Sequence, residues 1–398
     1  MLSPTKGNLE QWTVTILAHV FQLPTKILFG IGSINELGRE ALEFNAKKVL
    51  VITDPGVVKA ELHKGIIESL NRSRIEVQVF AEVESDPSIA TAAKAAELAK
   101  EFCADVIVAI GGGSVLDAAK SAALLVTNSG NLKDFAGVNK VKYPGIPVIA
   151  VPTTAGTGSE VTIFAVMSDS ANNEKFTISS PLIAPRVAVL DPALTLTLPR
   201  GITASTGMDA LTHAIEAYTS TNAQPATDGL ALQAIELISK NLRVAVWRGD
   251  NIQARGNMLQ ASLLAGIAFN NAFLGLSHAI ASPLGAHFHI AHGIANAVML
   301  PYVMEYNSVT AADKLAVVAR LMDVNDKELN TRSLARQAVT AVEELCNDIG
   351  IPNRLRDIGA KEDLLHVVAR DALKSVQLKF NTRGANESDI LALLKKAF

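Results

Sequence analysis

The chain has 398 residues, of which 49% are hydrophobic, and its formal net charge is -3, from 36 Lys and Arg against 39 Asp and Glu. This length exceeds what one hydrophobic core usually supports and predicts two domains, while the lack of a basic run argues against nucleic acid as a partner. The apolar runs are too short to cross a membrane, and Cys103 and Cys346 alone favour neither disulfides nor a thiolate zinc site, as expected of a cytoplasmic protein.

Short β-branched runs alternate with Ala-rich helical patterns in the first half of the chain. The predicted strands are residues 49–53, 77–80, 105–110, 147–151 and 187–190. Helices are predicted between them, for example at 89–103 and 115–125. This alternation predicts a parallel sheet with right-handed crossovers, which is a Rossmann-like α/β layer. Ligands of such a sheet bind beyond the carboxyl ends of its strands.

The pattern changes near residue 194, where the strand signals stop. Long stretches with a period of 3.6 residues follow at 226–247, 252–269, 311–322 and 333–349. They predict an all-helical second domain. Because Pro192 and Pro199 bracket the change, the predicted domains are a dinucleotide-binding α/β domain over 1–193 and a helical metal and substrate domain over 194–398.

A glycine turn follows the predicted strand at 105–110. The chain continues through Gly111, Gly112, Gly113 and Ser114 into a predicted helix. Glycines let a phosphate approach the backbone, and the start of a helix offers free N–H groups. The turn therefore predicts a phosphate-binding site, with an ordinary βα turn as the alternative.

Two further loops end predicted strands. Residues 152–160 are rich in hydroxyls and glycine, which suits contacts to phosphate and ribose, although an ordinary loop has the same composition. Asp54 follows the strand at 49–53, where its carboxylate could bind the adenine ribose and repel a 2′-phosphate. The alternative is that Asp54 only begins a β-turn.

Residues 207–216 predict a helix with two metal-binding side chains on one face. Asp209 and His213 are spaced i and i+4, so they project in the same direction. Taken singly, Asp209 would be a surface acid and His213 a hydrogen-bonded core histidine. As a pair, they make half of a metal site.

Histidines cluster further along the chain. Four of the eight histidines fall in one short window: His278, His287, His289 and His292. His278 and His292 are predicted to complete the site from a second helical hairpin. Three imidazoles and one carboxylate suit a divalent first-row ion such as Fe²⁺ or Zn²⁺, and the residue types do not choose between the two.

Five motifs in this order closely resemble the iron-containing (group III) alcohol dehydrogenase family over nearly the whole chain. They are LFGIGS from Leu28, GGGSVLDAAK from Gly111, PTTAGTGSE from Pro152, GMDALTHAIE from Gly207 and HGIANA from His292. The resemblance implies an α/β Rossmann-like domain followed by an all-α domain, the architecture of dehydroquinate synthase. It also implies a metal held by Asp209, His213, His278 and His292. The NAD site that it implies comprises Asp54, Gly112, Gly113, Ser114, Asp117, Thr153, Thr154, Thr157, Val166 and Lys175.

The chain departs from the family pattern at three places. Ser282 stands where many members carry a second histidine, so a proton would move through water, Ser282, His287 or His289. In the segment Asn381-Thr382-Arg383 the family often has proline at the middle position, where this chain has Thr382. Phe164 and Phe273 are bulkier than the residues that many members place near the substrate.

The predicted function is that of an NAD(H)- and metal-dependent alcohol dehydrogenase or aldehyde reductase. Its substrate would be a small alcohol or aldehyde, which could carry a polar or anionic tail, and its assembly a homodimer or larger homo-oligomer. One alternative is a metal- and NAD-dependent lyase resembling dehydroquinate synthase. Another is a non-catalytic interaction protein, which predicts that metal ligands have been lost.

Overall fold

Strands and helices alternate along the first half of the chain. The structure is a computed structural model that describes residues 19–169, 174–325 and 329–398. The strands are β1 (Lys26–Phe29), β2 (Lys48–Ile52), β3 (Glu76–Phe80), β4 (Val106–Gly111), β5 (Gly137–Val138), β6 (Val148–Pro152), β7 (Phe164–Asp169), β8 (Glu174–Ser179) and β9 (Val187–Leu190). The helices among them are α1 (Leu37–Leu42), α2 (Pro55–Lys59), α3 (His63–Arg72), α4 (Ile89–Phe102) and α5 (Gly113–Thr127).

A six-stranded parallel sheet in the order β1-β9-β6-β4-β2-β3 forms the centre of this half. Both faces of the sheet are buried, because alternate residues of a strand point to opposite sides. Val49 and Val51 join one hydrophobic cluster, whereas Leu50 and Ile52 join the other. The β-branched runs that predict strands are therefore strands with helices on both faces.

The second half is helical. Its helices are α6 (Arg200–Thr219), α7 (Pro225–Trp247), α8 (Ile252–Ala272), α9 (Leu276–Phe288), α10 (His292–Asn307), α11 (Ala312–Leu321), α12 (Thr331–Asp348), α13 (Leu365–Ala372) and α14 (Glu387–Ala397). Short 3-10 helices lie at Ser33–Glu36, Leu132–Phe135, Ser159–Val161, Pro181–Ile183, Pro192–Thr195, Leu355–Ile358, Glu362–Leu364 and Val376–Phe380. The predicted fold class, an α/β domain followed by an all-α domain, is confirmed. The domain boundary predicted after residue 193 falls in the 3-10 helix Pro192–Thr195.

The sequence prediction omits four strands. The short edge strand β1 is largely exposed and lacks a buried run. Strands β5, β8 and β7 form a separate three-stranded sheet in which β7 and β8 pair antiparallel. In β7, Ala165 and Met167 are buried while Val166 is exposed, which is the alternation of a one-sided sheet. The five strands that the sequence does predict end within one residue of their predicted bounds.

Three strand ends meet at one edge of the sheet. Strands β6, β4 and β2 are neighbours, and since they are parallel, their carboxyl ends lie side by side.

No single helix in the described ranges is long and apolar enough to cross a membrane. Helices α8 and α9 meet that test only as a pair, and they are bent by 103°.

Candidate active site

The glycine turn lies at the carboxyl end of β4 and leads directly into α5. A side chain at Gly113 would clash with Thr157, whose Cγ2 lies 2.7 Å from the position of a Cβ. At Gly112, Thr154 Cγ2 is 3.4 Å from the same position. The turn and the loop after β6 thus pack against each other, and at Gly113 a side chain would force Thr157 to shift. This is a cradle of backbone N–H groups at a helix start, as phosphate binding requires.

The loop after β6 begins in register with the glycine turn. Thr153 N donates to Gly111 O at 3.0 Å, and the Thr153 side chain is buried. Asp54, after β2, faces the same place, because its Oδ2 lies 3.2 Å from where a Cβ on Gly111 would be. Asp54 also caps α2, accepting from Val57 N at 2.9 Å. Both interpretations of Asp54 are therefore compatible with its position.

Asp117 lies one turn into α5 and is bonded within the chain. Its Oδ1 accepts from Ser159 Oγ, and its Oδ2 accepts from Val166 N at 2.9 Å. Asp117 thereby holds Val166, the exposed residue of β7, against the start of α5. Ser114 is half-buried in the first turn of the same helix.

Lys175 lies between the two halves of the molecule. Its Nζ contacts Asp86 Oδ1 at 2.7 Å and lies 3.7 Å from where a Cβ on Gly285 would be. Gly285 belongs to α9, the helix that carries His278. Lys175 therefore reaches from the small sheet toward the predicted metal site.

Three predicted metal ligands converge. Nε2 of His278 and Nε2 of His292 each lie 3.9 Å from Asp209 Oδ1, and the ligand atoms of all three residues lie within 4.8 Å of one another. Asp209 comes from α6, His278 from the first turn of α9, and His292 begins α10. Burial alone would raise the pKa of Asp209, but the neighbouring imidazoles hold that pKa below its ordinary value, so the carboxylate is ionised.

His213 lies beside these ligands and connects them to the loop after β6. Its ring stacks on that of His278 with centroids 4.6 Å apart. Burial lowers the pKa of His213 to about 4, so the ring is neutral. Its Nδ1–H donates to Gly156 O at 3.2 Å, because a carbonyl can only accept, which leaves a lone pair on Nε2.

Glu216 is a site residue that the sequence analysis does not single out. It accepts from His278 Nδ1 at 2.6 Å, from Gly275 N at 3.0 Å and from Ser277 N at 2.6 Å. Burial alone would raise the pKa of Glu216, but His278 and the two N–H groups lower it. A carboxylate behind a ligating histidine fixes the tautomer that presents Nε2 to the ion. Its position seven residues after Asp209, on the same helix face, is the signal that could have found it.

Asn296 is the second such residue. Its Nδ2 donates to Asp209 Oδ1 at 2.8 Å and lies 3.1 Å from His292 Nε2. Asn296 is fully buried and follows His292 by one helical turn, which again places both on one face. It contacts two ligand atoms at once and so orients them.

The donor set fits a divalent metal. His278 Nε2 is buried and has no hydrogen-bond partner among the described residues, which is costly for a polar atom unless an ion occupies its lone pair. One carboxylate with imidazoles, without thiolate, is the set that Fe²⁺ or Zn²⁺ takes in catalytic sites.

The residues predicted to move protons lie in exposed positions. Ser282 is exposed one turn after His278, and its Oγ donates to His278 O at 3.2 Å. His289 is exposed at the end of α9, with a φ of 56°. His287 lies within α9 rather than in an extended loop, and its Nε2 contacts Asp371 Oδ2 at 2.7 Å. The pairing ties His287 to α13.

Family models and curated relatives match almost the whole chain. The family model described as "Iron-containing alcohol dehydrogenase" matches residues 24–192, and "Fe-containing alcohol dehydrogenase family, C-terminal" matches 203–398. A 1,3-propanediol dehydrogenase of Klebsiella pneumoniae is 42% identical over 95% of this chain and 98% of its own length. An NAD-dependent methanol dehydrogenase of Bacillus methanolicus is 37% identical over 95% and 99%.

A solved structure shows the same fold throughout. The crystal structure of a 1,3-propanediol oxidoreductase superimposes with a TM-score of 0.94 at 41% identity, covering 96% of this chain and all of the other. The motifs, the metal-ligand cluster and these matches agree. The chain therefore belongs to the iron-containing alcohol dehydrogenase family and is an oxidoreductase.

Proposed function

We propose that the protein is an NAD(H)- and metal-dependent alcohol dehydrogenase or aldehyde reductase that acts on a small alcohol or aldehyde. One observation carries the proposal. His213, whose ring stacks on that of the predicted ligand His278, donates to the carbonyl of Gly156, and Gly156 belongs to the loop that packs on the phosphate cradle. The hydrogen bond between His213 and Gly156 would therefore connect the bound metal to the bound dinucleotide.

Asp209, His278 and His292 would hold the metal, with His213 Nε2 as the fourth donor. A mixed N/O set accepts both iron and zinc. Iron is the ion that we favour, and zinc is the alternative. When bound, such an ion supplies Lewis acidity at the substrate oxygen. Glu216 and Asn296 keep the ligand atoms oriented before the ion arrives, which lowers the cost of assembling the site.

Gly112, Gly113 and Ser114 would bind the diphosphate of NAD(H), with Thr153, Thr154 and Thr157 lining the opposite side. Asp54 would accept the hydroxyls of the adenine ribose and exclude NADP(H) by charge. Val166 and Lys175 would lie at the nicotinamide end, and Asp117 would keep Val166 in place. The methanol dehydrogenase relative is named as NAD-dependent, which supports this choice of cofactor.

The proton path follows from chemistry at Ser282. A hydroxyl has no pKa near neutrality, so it relays a proton but does not act as a general acid. His289 or water would therefore exchange the proton with solvent. Loss of a histidine-range pKa from the pH–rate profile of His289→Ala would identify His289, and an unchanged profile would identify water.

An anaerobic assay tests the proposal. Protein loaded with Fe²⁺ or Zn²⁺ is mixed with NADH and short aldehydes, including ones with hydroxyl, carboxylate or sulfonate tails. We expect one NADH oxidised for each alcohol formed. A lyase would return its NAD unchanged after each turnover, and product without net NADH oxidation would support that alternative. A non-catalytic interaction protein would retain no metal, whereas all four predicted ligands are present.

Location and assembly are also part of the proposal. Both cysteines are free, Cys103 exposed and Cys346 buried, which suits a reducing cytoplasm. We expect a homodimer or a larger homo-oligomer. Light scattering coupled to size-exclusion chromatography measures the assembly directly, and a mass of 42.1 kDa would indicate a monomer.

A further inference from the structure

The turn between α8 and α9 holds a phenylalanine in a backbone conformation that normally belongs to glycine. Phe273 has a φ of 63° and a ψ of -179°. This region of backbone space is essentially restricted to glycine, and a residue with a side chain remains there only when its surroundings enforce it. Such strain is typical of functional positions, so the contacts that maintain it indicate what the ring is for.

Hydrogen bonds on the C-terminal side of Phe273 fix the strained turn. Leu274 N donates to Gln377 Oε1 at 3.2 Å, and Gly275 N donates to Glu216 Oε2 at 3.0 Å. Glu216 is also the carboxylate that orients the metal ligand on α9. A group that orients a predicted metal ligand therefore also holds the backbone of the turn that carries Phe273.

The ring of Phe273 joins two others to form an apolar surface, which we call the aromatic wall: Phe164, Phe273 and Phe380. Phe273 stacks on Phe380 with centroids 4.3 Å apart and meets Phe164 edge to face at 6.4 Å. All three side chains are half-buried, so the wall retains accessible apolar surface. Phe164 comes from β7 in the α/β half, whereas the other two belong to the helical half, so the wall spans the division between them.

A continuous run of rings connects the aromatic wall to the metal centre. Phe164 stacks on Phe269 at 6.4 Å, and Phe269 stacks on His213 at 4.4 Å. His213 stacks on His278 at 4.6 Å. One ring, that of Phe269, therefore separates the aromatic wall from His213, on the side of the metal centre where His213 lies.

We propose that Phe273 is a specificity-determining residue and that the aromatic wall receives the tail of the substrate. The preferred substrate is then an unbranched alkanol or alkanal with a hydrocarbon tail, rather than one ending in a hydroxyl or a charge. The inference rests on the proposed function, because it concerns the tail of a substrate whose oxygen is at the metal centre. In the described part of the chain, every ring contact of Phe273 is with another phenylalanine, so the ring offers nothing to replace the water lost by a polar tail.

Lys175, on the other side of the centre, does not offer an anionic tail an unopposed cation. Its Nζ approaches α9 and is paired with Asp86 at 2.7 Å. Binding of a carboxylate or sulfonate there would have to compete with Asp86. The charge distribution thus agrees with the apolar wall.

The test compares the parent protein with Phe273→Gly, since glycine removes the ring and also fits the strained backbone, so the fold is retained. Phe29→Ala is the matched control, because Phe29 lies on the edge strand β1 and is 43% exposed. The substrates are acetaldehyde, pentanal, 4-hydroxybutanal and succinic semialdehyde with NADH. For the parent protein we expect kcat/KM to rise about fourfold per methylene from acetaldehyde to pentanal, and pentanal to exceed 4-hydroxybutanal by about tenfold or more.

Phe273→Gly should lose most of the preference for pentanal, while its kcat/KM for acetaldehyde changes by less than about threefold. Phe29→Ala should behave as the parent protein does. A parent preference for the hydroxylated or carboxylated aldehyde would overturn the inference. An unchanged ratio of pentanal to acetaldehyde in Phe273→Gly would also overturn it.

A binding measurement separates failure of this inference from failure of the proposed function. Calorimetry titrates pentan-1-ol and butane-1,4-diol into the zinc-loaded protein with NAD present. About tenfold tighter binding of pentan-1-ol, lost in Phe273→Gly, supports the aromatic wall even if no aldehyde is reduced. Equal binding of the two alcohols by the parent protein overturns it, whatever the assay of turnover shows.

Discussion

Glu216 shows how one residue determines the chemistry available to another. Its two oxygens accept three hydrogen bonds, from His278 and from two N–H groups at the start of α9. Since the start of a helix carries unpaired N–H groups and a partial positive charge, a buried anion is stabilised there. Glu216 therefore caps the first turn of α9. The same carboxylate binds His278 Nδ1 and so leaves His278 Nε2 available to the metal.

Replacing Glu216 by glutamine should weaken metal binding by about 10- to 100-fold, because the amide cannot accept from His278 and from both N–H groups at once. Competition with a chelator measures the affinity, and circular dichroism checks the fold. Glu236→Gln, which removes only an exposed pair with Lys240, is the control. An unchanged metal affinity in Glu216→Gln would mean that His278 is held by α9 alone.

Asp54 combines a structural and a proposed recognition role, and substitution can separate them. Asparagine caps a helix about as well as aspartate, whereas alanine costs about 1 kcal/mol. Asp54→Asn should therefore keep the stability of the parent protein and lose its discrimination against NADPH. Asp54→Ala should lose both.

The ratio of kcat/KM for NADH and NADPH, together with urea unfolding, tests the Asp54 prediction. We expect the parent ratio to favour NADH by at least about tenfold, and the ratio in Asp54→Asn to approach one. Equal use of both cofactors by the parent protein would leave Asp54 with its capping role only.

At the scale of elements, glycine should stabilise the α8–α9 turn but destabilise the helix that precedes it. Phe273→Gly and Phe273→Ala lose the same ring, but only glycine relieves the backbone strain. We expect the glycine variant to be more stable by about 1–2 kcal/mol, from the cost of such conformations. At the preceding position Ala272→Gly, inside α8, should instead lose about 1 kcal/mol. Urea unfolding measures all three, and a more stable Phe273→Ala would refute the strain.

A buried charged network ties α5 to the loop before β7. Lys120 is 1% exposed, and its Nζ donates to Ser159 Oγ at 2.7 Å and to Phe164 O at 2.8 Å. Burial lowers the pKa of Lys120, and burial raises that of Glu160 to about 7. The network holds the loop after β6, which carries Thr153, Thr154 and Thr157, and the strand that carries Phe164.

Glu160 should make stability depend on pH in a definite direction. Its pKa in the folded protein, about 7, lies above the ordinary 4.5, so its stabilising contribution is complete below about pH 4.5 and is lost as the pH rises through 7. Relative to Glu160→Gln, the parent protein should lose about 3 kcal/mol between pH 4.5 and 8. Urea unfolding at several pH values measures this difference, with the exposed Glu236→Gln as control. A difference that does not vary with pH would contradict the assignment.

At the scale of the whole molecule, His213 connects two sites in different halves of the chain. Its Nδ1–H is bonded to Gly156 O, in the loop after β6, and its ring stacks on that of His278. His213→Ala should therefore weaken both metal and NADH binding, the latter about fivefold, which corresponds to one hydrogen bond of about 1 kcal/mol. Asp209→Ala should remove the metal and leave NADH affinity within about twofold, without unfolding the chain.

Elemental analysis and NADH fluorescence measure the two affinities separately. If His213→Ala changes only the metal content, the hydrogen bond between His213 and Gly156 does not affect NADH binding. If Asp209→Ala retains its full metal content, the ligand assignment itself is wrong.

The sequence alone predicted the division into an α/β half and a helical half, and the three residues that meet in the metal-ligand cluster. Buried parallel strands are short β-branched runs, and the helices have a regular period, so both patterns are local. The family motifs contain Asp209, His213 and His292, and the cluster of histidines pointed to His278. The antiparallel pair β7 and β8 was missed, because its alternation is weak and part of it is exposed.

Only the tertiary structure decided which side chains meet. Glu216 contacts His278 across 62 residues, and Asn296 contacts Asp209 across 87; no local pattern encodes such pairs, because they depend on how α6, α9 and α10 pack. The strain at Phe273 likewise arises from bonds to Glu216 and Gln377 that close the turn from distant positions. Periodicity reports which face of an element is buried, whereas the partner on that face is chosen by packing of the whole chain.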